Sequence, residues 1–434
     1  MSKTFSLTTL GCAKNQVDSD KLATFLERDG LTEVASASEA DVVVVNTCAF
    51  IDVAREESVE TILSLAGVKR HDAKLVVTGC LAERYGEELA RELPEADVVA
   101  GFGVDFTHEL RSEPSTVPLG TTITRRRKSR EHVEKIYEMD LLNLPRRRGS
   151  APWAYVKAAE GCDKKCGFCA IPSFRGPQVS REASSIIDEV RTMQLSEVVL
   201  VAQDLANYGR DLSDRPTLAS LYREVQGVVP WVRLLYLYPS ELTRELIELV
   251  AASPVPYFDL SLQHVSRDHL RRMRRFGHGD LFLRRIEEIR ALNPAATFRS
   301  NFILGYPGET DDDQEALLSF LESAELDWVG FFAFSDEEGT YAHTRDDHVP
   351  HERAIERLNE ASELQERITR YRRDALVGEK LNVLVDERGI ARSFREAPEI
   401  DGLVRVPDRF IPGSFVDVVV DRVEGPDLVA NSLD

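Results

Sequence analysis

Residues 160–169 of the chain read EGCDKKCGFC and space three cysteines, Cys162, Cys166 and Cys169, as C-x3-C-x2-C. These residues are referred to below as the contiguous triplet. Three such thiolates suit three irons of a four-iron cluster, whereas iron–sulfur clusters usually take four thiolates. One iron is then open to a substrate or cofactor, as catalytic metal sites generally keep an open position. The alternatives are a zinc knot or three buried thiols, but zinc sites favour paired C-x2-C units with a fourth ligand.

The bulk composition bounds the class of protein. With 434 residues, of which 43% are hydrophobic, the chain is long enough for two to four domains with ordinary cores. No apolar run approaches the roughly 20 residues of a membrane span, and the N-terminus shows no apolar signal-peptide core. We therefore expect a soluble, cytoplasmic protein. The net charge of −20 predicts repulsion from nucleic-acid phosphates, unless basic residues are segregated, and attraction to basic partners.

Residues 1–105 alternate between strand-like and helical patterns. The segment 41–46, DVVVVN, is an almost continuous apolar run, as expected of a strand buried on both faces. Further strands are predicted at 5–10 and 74–78, and helices at 17–27, 53–65 and 82–93. This repetition predicts a doubly wound, flavodoxin-like sheet.

The other three cysteines, Cys12, Cys48 and Cys80, each lie just past the carboxyl end of one of these strands. They are referred to below as the strand-end triplet. Ligands collect at that edge of open α/β sheets, so three loops distant in sequence would bring three thiolates together. Cysteine is also a common small core residue, but chance burial does not predict the same position three times. A second iron–sulfur cluster is therefore expected here.

Residues 112–150 change character. They include two basic runs, Arg125–Arg130 and Arg146–Arg148, with few apolar partners. The segment is predicted to be a linker whose charges are solvated. A phosphate-contacting surface is the alternative.

Between residues 151 and 375 the strand–helix rhythm resumes. Six parallel βα units indicate an open partial (β/α)6 barrel, and active sites of such barrels lie at the carboxyl ends of the strands. The predicted strands are 153–157, 198–202, 232–238, 258–262, 297–304 and 328–334.

Polar residues follow several of these strands. They are Gln203–Asp204, Tyr238–Pro239, Gln263–His264 and Gly305–Glu309. The glycines of the last segment allow backbone to approach a ligand closely. Thr310 and Asp313 also predict a helix N-cap with a capping box. A structural role and a site role are equally open for His264.

The last segment, 376–434, has an all-β pattern, with strands predicted at 381–385, 402–406 and 415–420. Glycine and proline between them indicate a small antiparallel barrel of OB-like type.

The contiguous triplet, with the aromatic Phe168 before its third cysteine, resembles the signature of radical S-adenosylmethionine (SAM) enzymes. Taken whole, the chain resembles the methylthiotransferase branch of that superfamily. Within the branch it is most similar to the RimO group, which modifies a ribosomal protein. The segments that carry this last resemblance are LGCAKN at 10–15, NTCAFI at 46–51 and LQH at 262–264.

The resemblance implies four regions. They are an N-terminal cluster domain at 1–111, a linker at 112–150, a radical SAM domain at 151–375 and a TRAM domain at 376–434. It further implies two [4Fe-4S] clusters, ligated by Cys162, Cys166 and Cys169 and by Cys12, Cys48 and Cys80, and a SAM pocket that includes Phe168, Gln203, Gln263 and Gly305.

The implied reaction replaces C–H by C–SCH3 at the β-carbon of an aspartate in the small-subunit ribosomal protein S-twelve. One SAM, chelated by the open iron, would be cleaved to a 5′-deoxyadenosyl radical. Another would methylate sulfur held on the second cluster. An external flavodoxin- or ferredoxin-type protein would supply electrons. Such cofactors carry the hard chemistry, and the protein positions them.

Two other functions stay open at this point. A tRNA adenosine methylthiotransferase would share all six cysteines, and the basic runs favour it. A non-catalytic iron–sulfur sensor or ribosome-associated protein would need no SAM pocket.

The charge of residues 376–434 bears on the tRNA methylthiotransferase alternative. This segment holds 7 Lys and Arg against 12 Asp and Glu, whereas RNA binding needs a basic face. Its acidic residues include Glu396, Glu399, Asp401 and Asp408. The acidic balance favours a basic ribosomal protein over tRNA, although Arg392, Arg395, Arg405 and Arg409 could still cluster.

Overall fold

The computed structural model describes residues 3–111, 121–123 and 139–433. The described chain divides into two compact units. Unit 1 comprises residues 1–147 with 160–163 and 170–177, and unit 2 comprises 148–159, 164–169 and 178–434. Within the described ranges, no helix combines the length and apolar character needed to span a bilayer.

Unit 1 contains the parallel sheet expected of a flavodoxin-like domain, with the strand order β2-β1-β3-β4-β5-β6. Its strands are β1 (Thr4–Thr9), β2 (Thr32–Glu33), β3 (Val42–Thr47), β4 (Lys74–Gly79), β5 (Val98–Ala100) and β6 (Thr121–Ile123). Its helices are α1 (Ala13–Arg28), α2 (Asp52–Val68), α3 (Cys80–Glu92), α4 (Thr107–Arg111) and α5 (Ile171–Arg175).

The valine run of β3 explains why this sheet is covered on both faces. Successive side chains of a strand point to opposite faces. Accordingly, Val42 and Val44 belong to one buried apolar cluster, and Val43 and Val45 belong to another. All six residues of β3 are buried.

The segment expected to be a linker is partly built into unit 1. Thr121–Ile123 pairs with β5 as an edge strand, and Met139 and Leu141 are buried in the core of the unit. Arg146 is buried as well and binds Asp20 at 2.8 Å. The sequence pattern missed this packing because the apolar residues of 139–144 form one short run without a helix or strand.

Of the two basic runs, the structure describes only the second, Arg146–Arg148. Arg147 forms ion pairs with Glu27 and Glu33, so it is not simply solvated as expected. Arg125–Arg130 lies outside the described residues.

Unit 2 contains the predicted six-stranded partial barrel. Two parallel sheets, β11-β10-β7 and β12-β13-β14, meet at a parallel bridge between Leu237 and Leu260. The six barrel strands are β7 (Trp153–Lys157), β10 (Glu197–Val201), β11 (Trp231–Leu234), β12 (Tyr257–Gln263), β13 (Thr297–Leu304) and β14 (Trp328–Ala333). A separate two-stranded sheet consists of β8 (Ala159–Glu160), whose second residue belongs to unit 1, and β9 (Val179–Ser180). The helices are α6 (Ala183–Met193), α7 (Leu218–Gln226), α8 (Arg244–Ala251), α9 (Arg267–Arg272), α10 (Gly279–Leu292), α11 (Asp311–Ala324) and α12 (His351–Asp374).

One of these strands is shorter than predicted. The pattern extends to residue 238, whereas β11 ends at Leu234. Tyr236 has a φ of +65°, a conformation that interrupts an extended strand.

The C-terminal segment forms a closed five-stranded barrel, referred to below as the C-terminal barrel. Its strand order is β15-β16-β17-β19-β18. The strands are β15 (Lys380–Glu387), β16 (Ile390–Arg392), β17 (Val404–Arg405), β18 (Phe415–Glu424) and β19 (Asp427–Ser432). The sequence did not predict β16 or β19, because β16 is only three residues long and β19 follows β18 after a two-residue turn.

Within unit 2, the C-terminal barrel packs on the amino-terminal ends of the larger barrel's strands. Arg392 binds Glu197, the first residue of β10, at 2.7 Å. Tyr257, the first residue of β12, donates a hydrogen bond to Asp401. Trp328, the first residue of β14, donates to the main chain of the C-terminal barrel. This end is opposite the carboxyl edge, where the sequence places the site.

Two of the four acidic residues noted in this barrel therefore do not contribute to an acidic surface. Glu396 is fully buried and pairs with an arginine of α12. Asp401 lies 3.3 Å from Arg299, and its burial raises its pKa to about 6. Glu399 and Asp408 are exposed.

Candidate functional site

The sheet register of unit 1 brings together the three loops of the strand-end triplet. β1, β3 and β4 are adjacent parallel strands, and Thr47 of β3 pairs with Gly79 of β4. Cys12, Cys48 and Cys80 follow these three strand ends. Cys12 is the N-cap of α1, and Cys80 is the first residue of α3. Helix N-termini favour negative charge and lower the cost of a thiolate.

Two glycines beside these cysteines are required by space and by backbone conformation. Gly11 and Gly79 both have a φ of +92°, which L-residues rarely adopt. A Cβ on Gly11 would lie 2.9 Å from the Cys48 sulfur. A Cβ on Gly79 would lie 2.3 Å from Asn46 Oδ1. The strand ends can therefore converge only because these positions lack a side chain.

The three thiols differ in exposure. Cys48 and Cys80 are buried, and Cys12 is exposed. Burial, followed by the neighbouring Cys80 and Cys12, raises the pKa of Cys48 to about 12. Burial also raises the pKa of Cys80, although Arg175 opposes this effect. Buried adjacent thiols of this kind lose their protons most readily when a metal replaces them.

The donor set of the strand-end triplet consists of three cysteine thiols. Among the described residues, no three His, Cys, Asp or Glu side chains converge as ligands of one metal ion. In an iron–sulfur cluster each thiolate binds a different iron, and thiolates are its usual ligands. The three sulfurs therefore need not point at a common centre.

Two further residues support the strand-end triplet, and the sequence did not single them out. The Asn15 side-chain amide donates to the carbonyls of Leu10 and Thr47, at 2.9 Å each. Ser58 bonds both the N–H and the carbonyl of Cys48. The only available signal was that Asn15 lies in the segment LGCAKN.

The contiguous triplet begins in unit 1. The Cys162 N–H donates to the Gly176 carbonyl at 3.1 Å. Gly161 has a φ of +80°, and a Cβ there would lie 2.1 Å from the Pro177 carbonyl oxygen. The first cysteine is therefore held by a close backbone approach of residues 176–177.

Cys166 and Cys169 lie in unit 2, where Gly167 is the fixed point of their loop. Its N–H donates to the Met273 carbonyl at 2.7 Å, and its carbonyl accepts from Ala342. A Cβ on Gly167 would lie 2.6 Å from the Tyr306 hydroxyl. The neighbouring Phe168 packs, partly buried, on the apolar core of the unit.

Cations surround this part of the loop. Arg275 Nη1 lies 3.4 Å from the Cys166 sulfur, and its guanidinium stacks on Tyr238. Lys164 binds Glu241 at 2.8 Å and also stacks on Tyr238. Tyr238, four residues past the end of β11, therefore lies close to Cys166.

The predicted SAM-pocket residues lie at the carboxyl ends of their strands. Gln203 follows β10 and Gln263 ends β12, and both are half-buried. Gln263 has a φ of +71°, and the β12–β13 register shifts between Leu260 and Gln263. A non-glycine residue held at positive φ is a form of backbone strain that is common at functional sites.

The glycines of the segment 305–309 lie against protein neighbours on the side where a side chain would be. A Cβ on Gly305 would lie 2.4 Å from the Cβ of Ala354 in α12, and one on Gly308 would lie 2.5 Å from an Asp347 oxygen. Glycine is therefore required at both positions for packing, whether or not the main chain also contacts a ligand. The predicted capping box between Thr310 and Asp313 is confirmed.

His264 has a structural position. It is fully buried, 3.5 Å from Glu309, and its ring contacts His269. Glu309 in turn accepts from the Gly305 N–H. His264 therefore lies beside the carboxylate that binds the 305–309 segment.

Three family models match successive parts of the chain. The uncharacterized protein family UPF0004 matches residues 4–101, the Radical SAM superfamily 156–321 and the TRAM domain 377–432. Together with the partial barrel and the contiguous triplet, they define a radical SAM protein.

Curated relatives narrow this class. The chain is 40% identical to a protein of Kineococcus radiotolerans, with 100% of this chain and 98% of the relative aligned. It is 42% identical to one of Moorella thermoacetica, with 96% of each aligned. Both are named ribosomal protein uS12 methylthiotransferase RimO. The chain belongs to this RimO family of radical SAM methylthiotransferases, and its cofactors include SAM and a [4Fe-4S] cluster.

A solved structure supports the fold. The radical SAM methyltransferase TsrM from Kitasatospora setae, solved with cobalamin and a [4Fe-4S] cluster bound, superposes with a TM-score of 0.51. The match covers 77% of this chain and 72% of TsrM at 14% identity. At that identity the likeness concerns the fold alone.

Proposed function

We propose that this protein replaces one C–H bond by C–SCH3 at the β-carbon of an aspartate in ribosomal protein uS12, using SAM and two [4Fe-4S] clusters. The observation that carries the proposal is the presence of two cysteine triplets in one chain of the RimO family. The relatives are named for uS12. The net charge of −20 suits a basic ribosomal substrate.

Each cysteine triplet supplies three thiolates, the usual ligands of such a cluster. Cys162, Cys166 and Cys169 would hold the cluster that binds SAM, and the strand-end triplet would hold the second. When bound, the clusters and SAM supply the one-electron chemistry and the sulfur that an unactivated C–H bond requires.

The protein side chains bind and orient these groups. Three thiolates in each set leave one iron without a protein ligand. Phe168, Gln203, Gln263 and the main chain at Gly305 would bound the SAM pocket. The cations near Cys166 would balance the negative charge of cluster thiolates.

The proposal also includes the electron donor, the cellular compartment and the domain boundaries. A flavodoxin- or ferredoxin-type protein would donate electrons, and the small ribosomal subunit places the reaction in the cytoplasm. The functional regions would be 1–111, 151–375 and 376–434, joined by 112–150, part of which packs into unit 1. The basic run of this joining segment lends tRNA little support where it is described, because Arg146 and Arg147 form ion pairs.

A substrate competition tests the proposal. The protein is reconstituted anaerobically with iron and sulfide and is then given SAM, a reductant, small ribosomal subunits and unmodified tRNA together. Mass spectrometry follows replacement of a hydrogen by SCH3. We expect this change on an aspartate-containing peptide of uS12.

The same assay can overturn the assignment. Modification of a tRNA adenosine would reject the ribosomal substrate, whereas the cluster assignments would stand. Cluster assembly without saturable SAM binding, and with no modified product on either substrate, would favour the non-catalytic alternative.

A further inference from the structure

Arg175 occupies an unusual position in unit 1. It ends the short helix α5, six residues after the last cysteine of the contiguous triplet. Only 4% of its side chain is exposed. Its guanidinium stacks on the ring of Phe102, at 4.1 Å from the ring centroid.

The guanidinium divides its donors between charge neutralisation and a sulfur. Nη1 binds Glu160 at 3.0 Å and Asp18 at 3.3 Å, and both carboxylates are buried. Nη2 donates to Asn15 Oδ1 at 2.8 Å and to the Cys80 sulfur at 2.9 Å. The planar guanidinium can bind the two carboxylates through one nitrogen and the Cys80 sulfur through the other, which the compact ammonium of a lysine cannot do.

The bond to Cys80 is not needed to keep the arginine buried. A buried charge needs a paired, hydrogen-bonded counter-charge, and Asp18 and Glu160 already supply two. The Glu160–Arg175 pair also closes the chain segment that bears the contiguous triplet, because the two residues flank it in sequence. Arg175 is therefore fixed from one side and presents its other edge to a cysteine of the strand-end triplet.

We infer that Arg175 is a positioning residue for the second cluster: its Nη2 hydrogen bond holds the Cys80 sulfur and tunes the stability and reduction potential of the cluster on the strand-end triplet. The inference rests on the two-cluster part of the proposed function. Residues that bond to metal ligands typically contribute 10–100-fold to metal affinity. Hydrogen bonds to cluster sulfurs are one of the determinants of reduction potential, and they favour the more negative, reduced state.

The test uses the full-length chain with Cys162, Cys166 and Cys169 all changed to alanine, so that any cluster reports on the strand-end triplet. Arg175→Gln and Arg175→Lys are introduced into this parent, and each protein is reconstituted anaerobically. Bound iron and sulfide, the rate of iron loss to a chelator, and the midpoint potential from a redox titration followed by electron paramagnetic resonance are measured.

Arg175→Gln should lose the cluster about 10–100-fold more readily and shift its midpoint potential to a more negative value. Arg175→Lys keeps the charge beside Asp18 and Glu160, so it should keep the fold and still show part of the negative shift. Arg146→Gln is the matched control. It removes another buried arginine that pairs with α1, through Asp20, and it should leave potential and chelator resistance unchanged.

Each outcome separates the inference from the proposed function. A parent without any cluster would reject the second cluster and, with it, the role of Arg175. A parent cluster whose potential and chelator resistance are the same in both Arg175 variants would reject the inference alone. If Arg175→Gln does not fold, as judged by circular dichroism of the metal-free protein, Arg175→Lys decides by the same measurements.

Discussion

The two cysteine triplets are built in opposite ways. The contiguous triplet lies within eight residues of sequence, so its spacing is a property of the chain itself. The strand-end triplet is spread over residues 12 to 80, and only the pairing of β1, β3 and β4 brings its members together. If the sheet misfolded, the cysteines of the strand-end triplet would separate, whereas those of the contiguous triplet would stay near one another because the chain itself joins them.

The supporting residues differ accordingly. Around the strand-end triplet, glycines at positive φ let three strand ends converge, and Asn15 bonds two of them. Around Gly167, the support comes from residues far along the chain, such as Met273 and Tyr306. The Gly167 loop of the local motif thus depends on distant residues for its conformation, whereas the strand ends of the dispersed motif are brought together by their own sheet.

The largest expected effect separates the two triplets chemically. Cys162→Ala should lower bound iron from about eight to about four per chain and abolish formation of 5′-deoxyadenosine. Cys80→Ala should also lose about half the iron but still form 5′-deoxyadenosine, because the contiguous triplet is intact. Iron analysis and chromatography of SAM products measure both. Normal SAM cleavage by Cys162→Ala would show that the contiguous triplet has been assigned to the wrong role.

The next effect tests the convergence of strand ends. Gly79→Ala combines an unfavourable φ with a clash and should destabilise metal-free unit 1 by about 2–5 kcal/mol. Gly30→Ala is matched in backbone, with a φ of +93° and nothing within 4 Å of its added Cβ, and should cost only about 1–2 kcal/mol. Urea unfolding gives both values. Equal destabilisation by the two substitutions would mean that the close contacts at Gly79 do not contribute to the cost of adding a Cβ.

A smaller effect tests the support of the contiguous triplet. Gly167→Ala brings a methyl group against the Tyr306 hydroxyl. Tyr306→Phe removes that hydroxyl and so relieves the clash. The double variant should be less destabilised than the sum of the single variants, by about 1 kcal/mol. Chemical unfolding of the four proteins of this cycle measures the coupling. Strict additivity would indicate that the loop avoids the hydroxyl by moving.

The smallest effect is a pH dependence confined to unit 2, beneath Gly167. His269 contacts Tyr306, and burial, followed by His264, lowers its pKa to about 2, with Asp313 opposing and Arg272 and Arg357 adding to the shift. The folded state therefore keeps His269 neutral while the unfolded chain takes up a proton below about pH 6.5.

The free energy of unfolding should therefore fall as the pH drops below about 6.5. His269 should contribute about 1.4 kcal/mol of this loss per pH unit. His269→Gln should remove that component of the slope, and the exposed His71→Gln serves as the control. Urea unfolding between pH 5 and 7 measures it. An unchanged slope in His269→Gln would contradict a buried neutral histidine.

Much of this architecture was predictable from the sequence, because local patterns carried it. The valine run of β3 and its neighbours predicted a parallel sheet, and parallel strands end at a common edge, so the adjacency of Cys12, Cys48 and Cys80 followed. The six barrel strands and the capping box at Thr310 were predicted for the same reason.

What escaped prediction depends on partners that are distant in sequence. The sequence could not show that a side chain at Gly305 would meet Ala354 of α12. Counting charges in the C-terminal barrel could not reveal that Glu396 and Asp401 are buried in ion pairs. Arg175 gave no sequence signal, since a buried arginine is recognisable only from the groups around it.

The position of the C-terminal barrel also has a consequence for the order of synthesis. Glu197 begins β10 and pairs with two arginines, Arg233 and Arg392, of which Arg392 is made 195 residues later. At translation rates of about 5–20 residues per second, that interval is roughly 10–40 s. During this time Glu197 has only one of its two arginine partners. The nascent protein therefore cannot complete this end of the barrel until the C-terminal barrel has left the ribosome.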